Sequence, residues 1–264
     1  MKIVETPILD GGATLTGYLH DPVPEIPNRL ERPAVVICPG GAYAFCSDRE
    51  ADPPAFVFFA RGYHVFILRY TTGPGKACGM QPLRELSESV ALVRRNAGKW
   101  GVLPDRIAVM GHSAGGHLAA SLGVLWDRPE TGFSAGENRP DALILAYPVI
   151  TAGEFAHRES IENVSGEKDV ERQSFWSLEN HVSEKTPPAF VWHTYEDDIV
   201  PVENSLLFVT AMRCAGVPCE FHLFQHGPHG LSLCSAETGF AQAETAPWLG
   251  LCLTWLGAQF GFEE

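Results

Sequence analysis

The chain has 264 residues, of which 45% are hydrophobic and 19% are charged, and its formal net charge is −13. This composition excludes a disordered or fibrous chain and predicts a packed protein with a single α/β domain over residues 1–264. The acidic excess argues against nucleic acid and anionic membrane surfaces as partners, because both are normally bound through clustered Lys and Arg.

The predicted elements follow an N-terminus that lacks the apolar core of a secretory signal, so we expect a cytoplasmic protein. No apolar run approaches the roughly 18 residues of a membrane span. An antiparallel pair that uses residues 14–19 comes first, and strand-like runs then alternate with segments of helical spacing. This alternation predicts a mostly parallel central sheet with helices on both faces. The later strands are expected at 34–38, 63–68, 106–110, 142–146, 189–193 and 219–224, and the helices at 83–97, 114–125, 204–214 and 248–260.

A short loop that reads PGGAY, at residues 39–43, follows the strand predicted at 34–38. Backbone N–H groups in such a loop can point at one position and stabilise a negatively charged oxygen. The loop is therefore a candidate oxyanion hole, and the alternative is an ordinary glycine turn.

Residues 111–116 read GHSAGG and lie between a predicted strand and a predicted helix. This is the G-x-S-x-G pattern in the strand–turn–helix context that exposes a nucleophilic serine at the carboxyl edge of a sheet. Gly111 and Gly115 suit positions where the strand and the helix pass closely. Ser113 is therefore the candidate nucleophile, against the alternative of an incidental serine in a glycine-rich turn.

Residues 151–185 interrupt the alternation, since they are polar, charged and weakly periodic. They are too many for an ordinary connection between two core elements. The sequence leaves two interpretations open, a cap-like insertion over the active site and a solvated surface excursion.

A serine hydroxyl needs a base to take its proton, and the base needs a carboxylate to orient it. Behind the strand predicted at 219–224, residues 226–230 read HGPHG. His229 is the preferred base because it lies late in the chain in a loop that can turn its ring inward, and His226 is the alternative. The carboxylate is expected after the strand predicted at 189–193, among three adjacent acidic side chains: Glu196, Asp197 and Asp198.

Several of these segments together resemble the esterase and lipase branch of the α/β hydrolases, and more closely the bacterial acetyl-xylan-esterase-like proteins among the carbohydrate esterases. The resemblance spans nearly the whole chain and implies the α/β-hydrolase fold. It rests on residues 39–43, 47–50, 111–116, 187–190, 200–205 and 227–230.

The resemblance also implies which carboxylate completes the catalytic triad. The family pattern H-G-x-x-D-x-x-V-P falls in register on residues 193–201, with Thr194 in place of the glycine. This register favours Asp197 as the acid, with Asp198 as the alternative.

The loop at 39–43 is similar to the H-G-G-G loop of lipases and esterases, with Ala42 in place of the third glycine. By that register the N–H groups of Gly41 and Ala42, joined by that of Ala114, would form the oxyanion hole.

The function implied by the resemblance is a serine esterase that hydrolyses short-chain carboxylic esters through an acyl-enzyme. Its expected partner is a small-molecule or oligosaccharide ester, such as an acetylated xylan-derived sugar, and a homo-oligomer is compatible with the sequence. The candidate substrate contacts are Tyr43, His112 and Tyr195. The mechanism requires no cofactor and no metal. The alternatives are a prolyl-oligopeptidase-like peptidase and a lipase or general carboxylesterase.

Overall fold

An eight-stranded sheet runs through the molecule in the order β1-β2-β4-β3-β5-β6-β7-β8. The structure is a computed structural model, and it describes residues 1–10, 12–133 and 135–262. β2 is antiparallel to both of its neighbours, β1 and β4, and every other pair of neighbouring strands is parallel. The predicted sheet, antiparallel at its start and parallel beyond, is confirmed. Its strands are β1 (Lys2–Ile8), β2 (Ala13–Leu19), β3 (Arg32–Cys38), β4 (His64–Arg69), β5 (Val102–His112), β6 (Ala142–Ala146), β7 (Ala189–Thr194) and β8 (Cys219–Phe224).

Helices cover both faces of this sheet. The helices are α1 (Asp52–Ala60), α2 (Gln81–Arg95), α3 (Ala97–Trp100), α4 (Ala114–Leu125), α5 (Arg158–Ser165), α6 (Glu203–Cys214) and α7 (Trp248–Phe260). Buried side chains of α2, α4 and α6 belong to one hydrophobic core, and those of α1 and α7 belong to the other. The helices predicted from their spacing are therefore confirmed, within two residues at each end.

The two cores explain why the inner strands read as continuous apolar runs. Along β3, Ala34 and Val36 contribute to one core, whereas Val35 and Ile37 contribute to the other, and all four are fully buried. Successive strand side chains point to opposite faces, so a strand covered on both sides needs an apolar residue at every position.

The sequence analysis did not predict α1, because the apolar residues of this helix do not repeat with a helical period. It reads DPPAFVFFA, and Phe56 is exposed although Phe58 is buried. Its two prolines fall in the first turn, where a missing N–H costs no hydrogen bond within the helix.

The parallel arrangement brings the carboxyl ends of β3, β5, β6, β7 and β8 to one edge of the sheet. The loops that carry the predicted site residues leave the sheet at this edge. Within the described ranges, no helix is both long enough and apolar enough to cross a membrane.

Candidate active site

Ser113 lies on the sharp turn between β5 and α4, with a φ of 52° and a ψ of −118°. Such a backbone is strained for a residue other than glycine. A Cβ on Gly111 would lie 2.0 Å from the carbonyl oxygen of Gly115, and one on Gly115 would lie 2.1 Å from that of Cys38. A side chain fits at neither Gly111 nor Gly115, and this close approach explains why the pattern requires glycine at both positions.

His229, in the loop after β8, connects Ser113 to Asp197. Its Nε2 is 2.8 Å from Ser113 Oγ, and its Nδ1 is 2.7 Å from Asp197 Oδ2. An ionised carboxylate can only accept a hydrogen bond, so Nδ1 carries the proton and Nε2 is free to accept from the hydroxyl. Three residues that lie far apart in the chain therefore form one hydrogen-bonded series.

Asp197 is buried and uses both carboxylate oxygens. Its Oδ1 accepts from the N–H groups of Ile199 and Val200 at 3.1 and 2.9 Å, and its Oδ2 accepts from His193 as well as His229. Burial alone would raise the pKa of this carboxyl, but the hydrogen bonds from His193 and His229, and the charge that these rings carry when protonated, outweigh it. The pKa of Asp197 is therefore held well below its ordinary value, and the group stays ionised.

The neighbouring acidic residues face solvent instead. Asp198 is exposed, and so is Glu196. Glu196 accepts from the ring of His226 at 2.8 Å and from the N–H of Gly227 at 3.3 Å. The structure thus brings Asp197 and His229 to Ser113, and it brings neither Asp198 nor His226.

His193 is a site residue to which the sequence assigned no role. Its Nε2 lies 3.1 Å from Asp197 Oδ2 and 3.0 Å from the carbonyl oxygen of Val200, while its Nδ1 lies 2.8 Å from Ser205 Oγ. Two acceptors at Nε2 require the proton there, so Nδ1 accepts from the serine. The register with the H-G-x-x-D pattern was the available signal for this contact.

The loop at 39–43 lies directly against the nucleophile. A Cβ on Gly40 would be 3.0 Å from the Cβ of Ser113. Gly41 and Ala42 have positive φ angles of 121° and 54°, an unusual backbone for alanine. Ala114 begins α4, whose first N–H groups have no partners within the helix. The three predicted oxyanion donors therefore belong to segments that flank Ser113, and their role stays a prediction.

The side chains of two candidate substrate contacts are enclosed by protein. Tyr43 and His112 are 0% exposed. The Tyr43 hydroxyl is 2.8 Å from Nδ1 of His117, so this phenol is a structural contact. Tyr43 and His112 therefore present no surface to a substrate, which corrects their assignment. Tyr195 is 68% exposed, and its role stays a prediction.

The segment 151–185 lies at the same edge of the sheet. Asn163 on α5 donates from Nδ2 to the carbonyl oxygen of Ala42 at 2.8 Å. Burial lowers the pKa of His157, and the charge that His229 carries when protonated lowers it further, so His157 lies near the base. The segment therefore contacts the candidate site, while its function as a cap stays a prediction.

No group of three or more His, Cys, Asp or Glu side chains in the described part of the chain is arranged to hold a metal ion. The chemistry of the site is that of a hydroxyl, an imidazole and a carboxylate in series.

The sheet, the strained serine turn and the loops around it define the class of this protein. The chain is an α/β hydrolase, and this class includes the carboxylic ester hydrolases that it resembles. A model of the BD-FAE family matches residues 24–212. The chain belongs to the BD-FAE family.

Two curated relatives and one solved structure illustrate the similarity. Endo-1,4-beta-xylanase B of Butyrivibrio fibrisolvens is 37% identical over 84% of this chain, and the acetylxylan esterase of Xylanibacter ruminicola is 32% identical over 84%. The chain spans only 35% and 44% of the length of these two relatives. The crystal structure of an acetyl ester-xyloside bifunctional hydrolase from Caldicellulosiruptor lactoaceticus superposes with a TM-score of 0.83 at 35% identity, covering 96% of this chain and 90% of that one.

Proposed function

We propose that this chain is a serine esterase that hydrolyses short-chain carboxylic esters. Ser113 is the nucleophile, His229 is the general base and Asp197 orients the base. The observation that carries the proposal is the hydrogen-bonded series from Ser113 Oγ through His229 to Asp197, at 2.8 and 2.7 Å, on a strained turn at the carboxyl edge of the sheet.

Acylation begins when Ser113 Oγ attacks the ester carbonyl carbon while its proton passes to Nε2 of His229. The carbonyl oxygen becomes an oxyanion, which the N–H groups of Gly41, Ala42 and Ala114 stabilise. The imidazolium of His229 forms next to the ionised Asp197. It then gives its proton to the alcohol oxygen as the bond between carbon and that oxygen breaks.

Deacylation repeats these steps with water as the nucleophile. His229 takes a proton from the water, the hydroxide oxygen bonds to the acyl carbon, and the proton passes to Ser113 Oγ as the acyl bond breaks. The carboxylic acid leaves, and the enzyme returns to its starting state.

Acetylated xylo-oligosaccharides are the substrates that we propose. One relative is named an acetylxylan esterase, and one structural relative is described as an acetyl ester-xyloside hydrolase. Through Asn163, the segment 151–185 contacts the loop at 39–43, which we call the oxyanion loop. This segment is the part of the chain that we expect to lie over the sugar.

The nucleophile is tested by p-nitrophenyl acetate hydrolysis with Ser113→Ala. We expect kcat to fall by about 10⁴-fold or more, because the covalent step is lost. Ser121→Ala is the matched control, since this serine is buried on α4, the helix that directly follows Ser113, and it should keep wild-type activity. Retained activity in Ser113→Ala would overturn the proposal.

The substrate class is tested with acetylated xylo-oligosaccharides, aliphatic esters of two to eight carbons and prolyl amides. We expect the highest kcat/KM for the acetylated sugars. A preference for prolyl amides would support a peptidase, and a preference for the longest acyl chains would support a lipase.

A further inference from the structure

A buried carboxylate that the mechanism does not use lies behind the oxyanion loop. Glu50, at the end of a short 3-10 helix before α1, is 3% exposed. Its Oε2 accepts from the N–H of Gly40 at 2.9 Å. A Cβ on Gly40 would be 2.6 Å from this oxygen and 3.0 Å from the Cβ of Ser113. The carboxylate therefore holds the loop residue that lies against the nucleophile.

The other oxygen of Glu50 is connected to the loop that carries His229. Oε1 accepts from the Tyr147 hydroxyl at 2.8 Å, and the same hydroxyl oxygen accepts from the N–H of Ser232 at 2.9 Å. Tyr147 follows β6 and is 2% exposed. Ser232 lies three residues after His229 and has a positive φ of 48°, so its backbone is strained and needs support.

Two further contacts close this network around the base. Ser232 Oγ donates to the carbonyl oxygen of Arg49 at 2.7 Å. The His229 loop is thereby also bonded to the residue directly before Glu50. The ring of Tyr147 meets the ring of His229 edge-on, with centroids 5.1 Å apart. The phenol thus touches the base directly and holds its loop through Ser232.

Burial, and next the charge of Glu50, raise the pKa of Tyr147 well above its ordinary value. The phenol therefore stays protonated at any pH at which an esterase works. Its hydrogen points at the carboxylate, and its lone pairs remain available to the N–H of Ser232.

We propose that Glu50 and Tyr147 are positioning residues that hold the oxyanion loop and the His229 loop in register with each other. The inference rests on the proposed esterase function. The ester oxygen must meet the N–H donors at the moment when the base meets the serine proton, so the two loops must be held together. One carboxylate does this by accepting from Gly40 with one oxygen and from Tyr147 with the other.

The test compares Glu50→Gln, Tyr147→Phe and the double variant. Glutamine keeps the shape of the side chain but replaces one acceptor oxygen with an NH₂ group, and phenylalanine removes only the hydroxyl. We expect each single variant to lower kcat for p-nitrophenyl acetate by roughly 10- to 100-fold with less than about a threefold change in KM. The kcat of the double variant should be no more than about threefold lower than that of the less active single variant, because both changes break one network.

Glu85→Gln is the matched control for loss of a buried carboxylate. Glu85 on α2 is 0% exposed and accepts from the N–H of Thr71 and from Gln81, away from the His229 loop. It should lose thermal stability as Glu50→Gln does while keeping kcat within about threefold of wild type. Equal losses of kcat in the two variants would overturn the inference, because the effect would then be general destabilisation.

A second measurement uses the rate at which a fluorophosphonate labels Ser113, which needs the base and the oxyanion donors but no particular ester. Slower labelling of Glu50→Gln and Tyr147→Phe, by about 10-fold or more, supports the inference. Wild-type labelling rates in both overturn it. If Glu50→Gln does not fold, Tyr147→Phe decides alone.

The two proposals fail in different ways. A wild-type chain that is labelled but hydrolyses no ester ends the proposed function and leaves the labelling rates to decide the inference. A wild-type chain that is not labelled overturns both.

Discussion

At the scale of single residues, Asp197 is distinguished from its acidic neighbours by its burial and its hydrogen bonds. It receives two backbone N–H groups on one oxygen and two histidine rings on the other, whereas Asp198 is exposed. These donors keep the carboxylate ionised in a buried place, where it can hold the proton of His229 on Nδ1.

Asp197→Asn tests this assignment. Asparagine can present its NH₂ group to His229, which would favour the wrong tautomer of the base, so we expect kcat to fall by roughly 10⁴-fold. Asp198→Asn is the control and should stay within about threefold of wild type. Steady-state hydrolysis of p-nitrophenyl acetate measures both, and a larger loss in Asp198→Asn would show that the other carboxylate is the acid.

At the scale of secondary-structure elements, α5 and the oxyanion loop are joined by one side chain. Asn163 donates to the carbonyl oxygen of Ala42, a residue with a positive φ in the loop whose Gly40 lies against the nucleophile. An element of the segment 151–185 thus restrains a loop whose N–H groups, by our proposal, point at the substrate.

Asn163→Ala removes this restraint without disturbing the core, because the side chain is only half-buried. One such hydrogen bond contributes about 1 kcal/mol, so we expect kcat/KM to fall by about fivefold and Tm to fall by no more than about 2 to 4 °C. Glu162→Ala on the same helix should leave kcat/KM unchanged. Wild-type kinetics in Asn163→Ala would mean that α5 does not support the oxyanion loop.

At the scale of the whole molecule, buried histidines connect its stability to pH. His64 accepts from the N–H of His20 and donates to Gly101, and His117 connects Tyr43 to the carbonyl oxygen of Trp176. Burial lowers the pKa of His64 and of His117 to about 4. Both rings are therefore neutral in the folded protein at neutral pH.

The free energy of unfolding should consequently fall as the pH falls. Both pKa values are depressed below the unfolded value of 6.5, so the unfolded chain binds these protons first. Their full contribution is present above about pH 6.5 and is lost as the pH falls toward 4, by at most roughly 3 kcal/mol for each histidine. Urea unfolding at pH 7.5, 6.0 and 5.0 measures the loss.

The double variant His64→Gln/His117→Gln provides the control for this pH dependence. Glutamine can replace both hydrogen bonds of each ring but does not titrate, so its stability should vary less between pH 7.5 and 5.0. An unchanged slope in the variant would assign the pH dependence to other groups.

The amino-acid sequence by itself predicted most of the strands and helices in their order along the chain, and it identified Ser113 and His229 as the candidate nucleophile and base. The strands and amphipathic helices are encoded in short-range periodicity, and the serine turn is encoded in six adjacent residues. α1 was missed because it is apolar without a helical period.

The family register favoured Asp197 over Asp198, and the tertiary structure brought Asp197 against His229. Only the tertiary structure showed that Tyr43 and His112 are enclosed and that Glu50 contacts Tyr147. The physical reason is that a local pattern specifies the backbone of a segment but not the direction of each side chain. Burial and hydrogen-bond partners depend on segments that are distant in the chain, and packing around the sheet decides which of them meet.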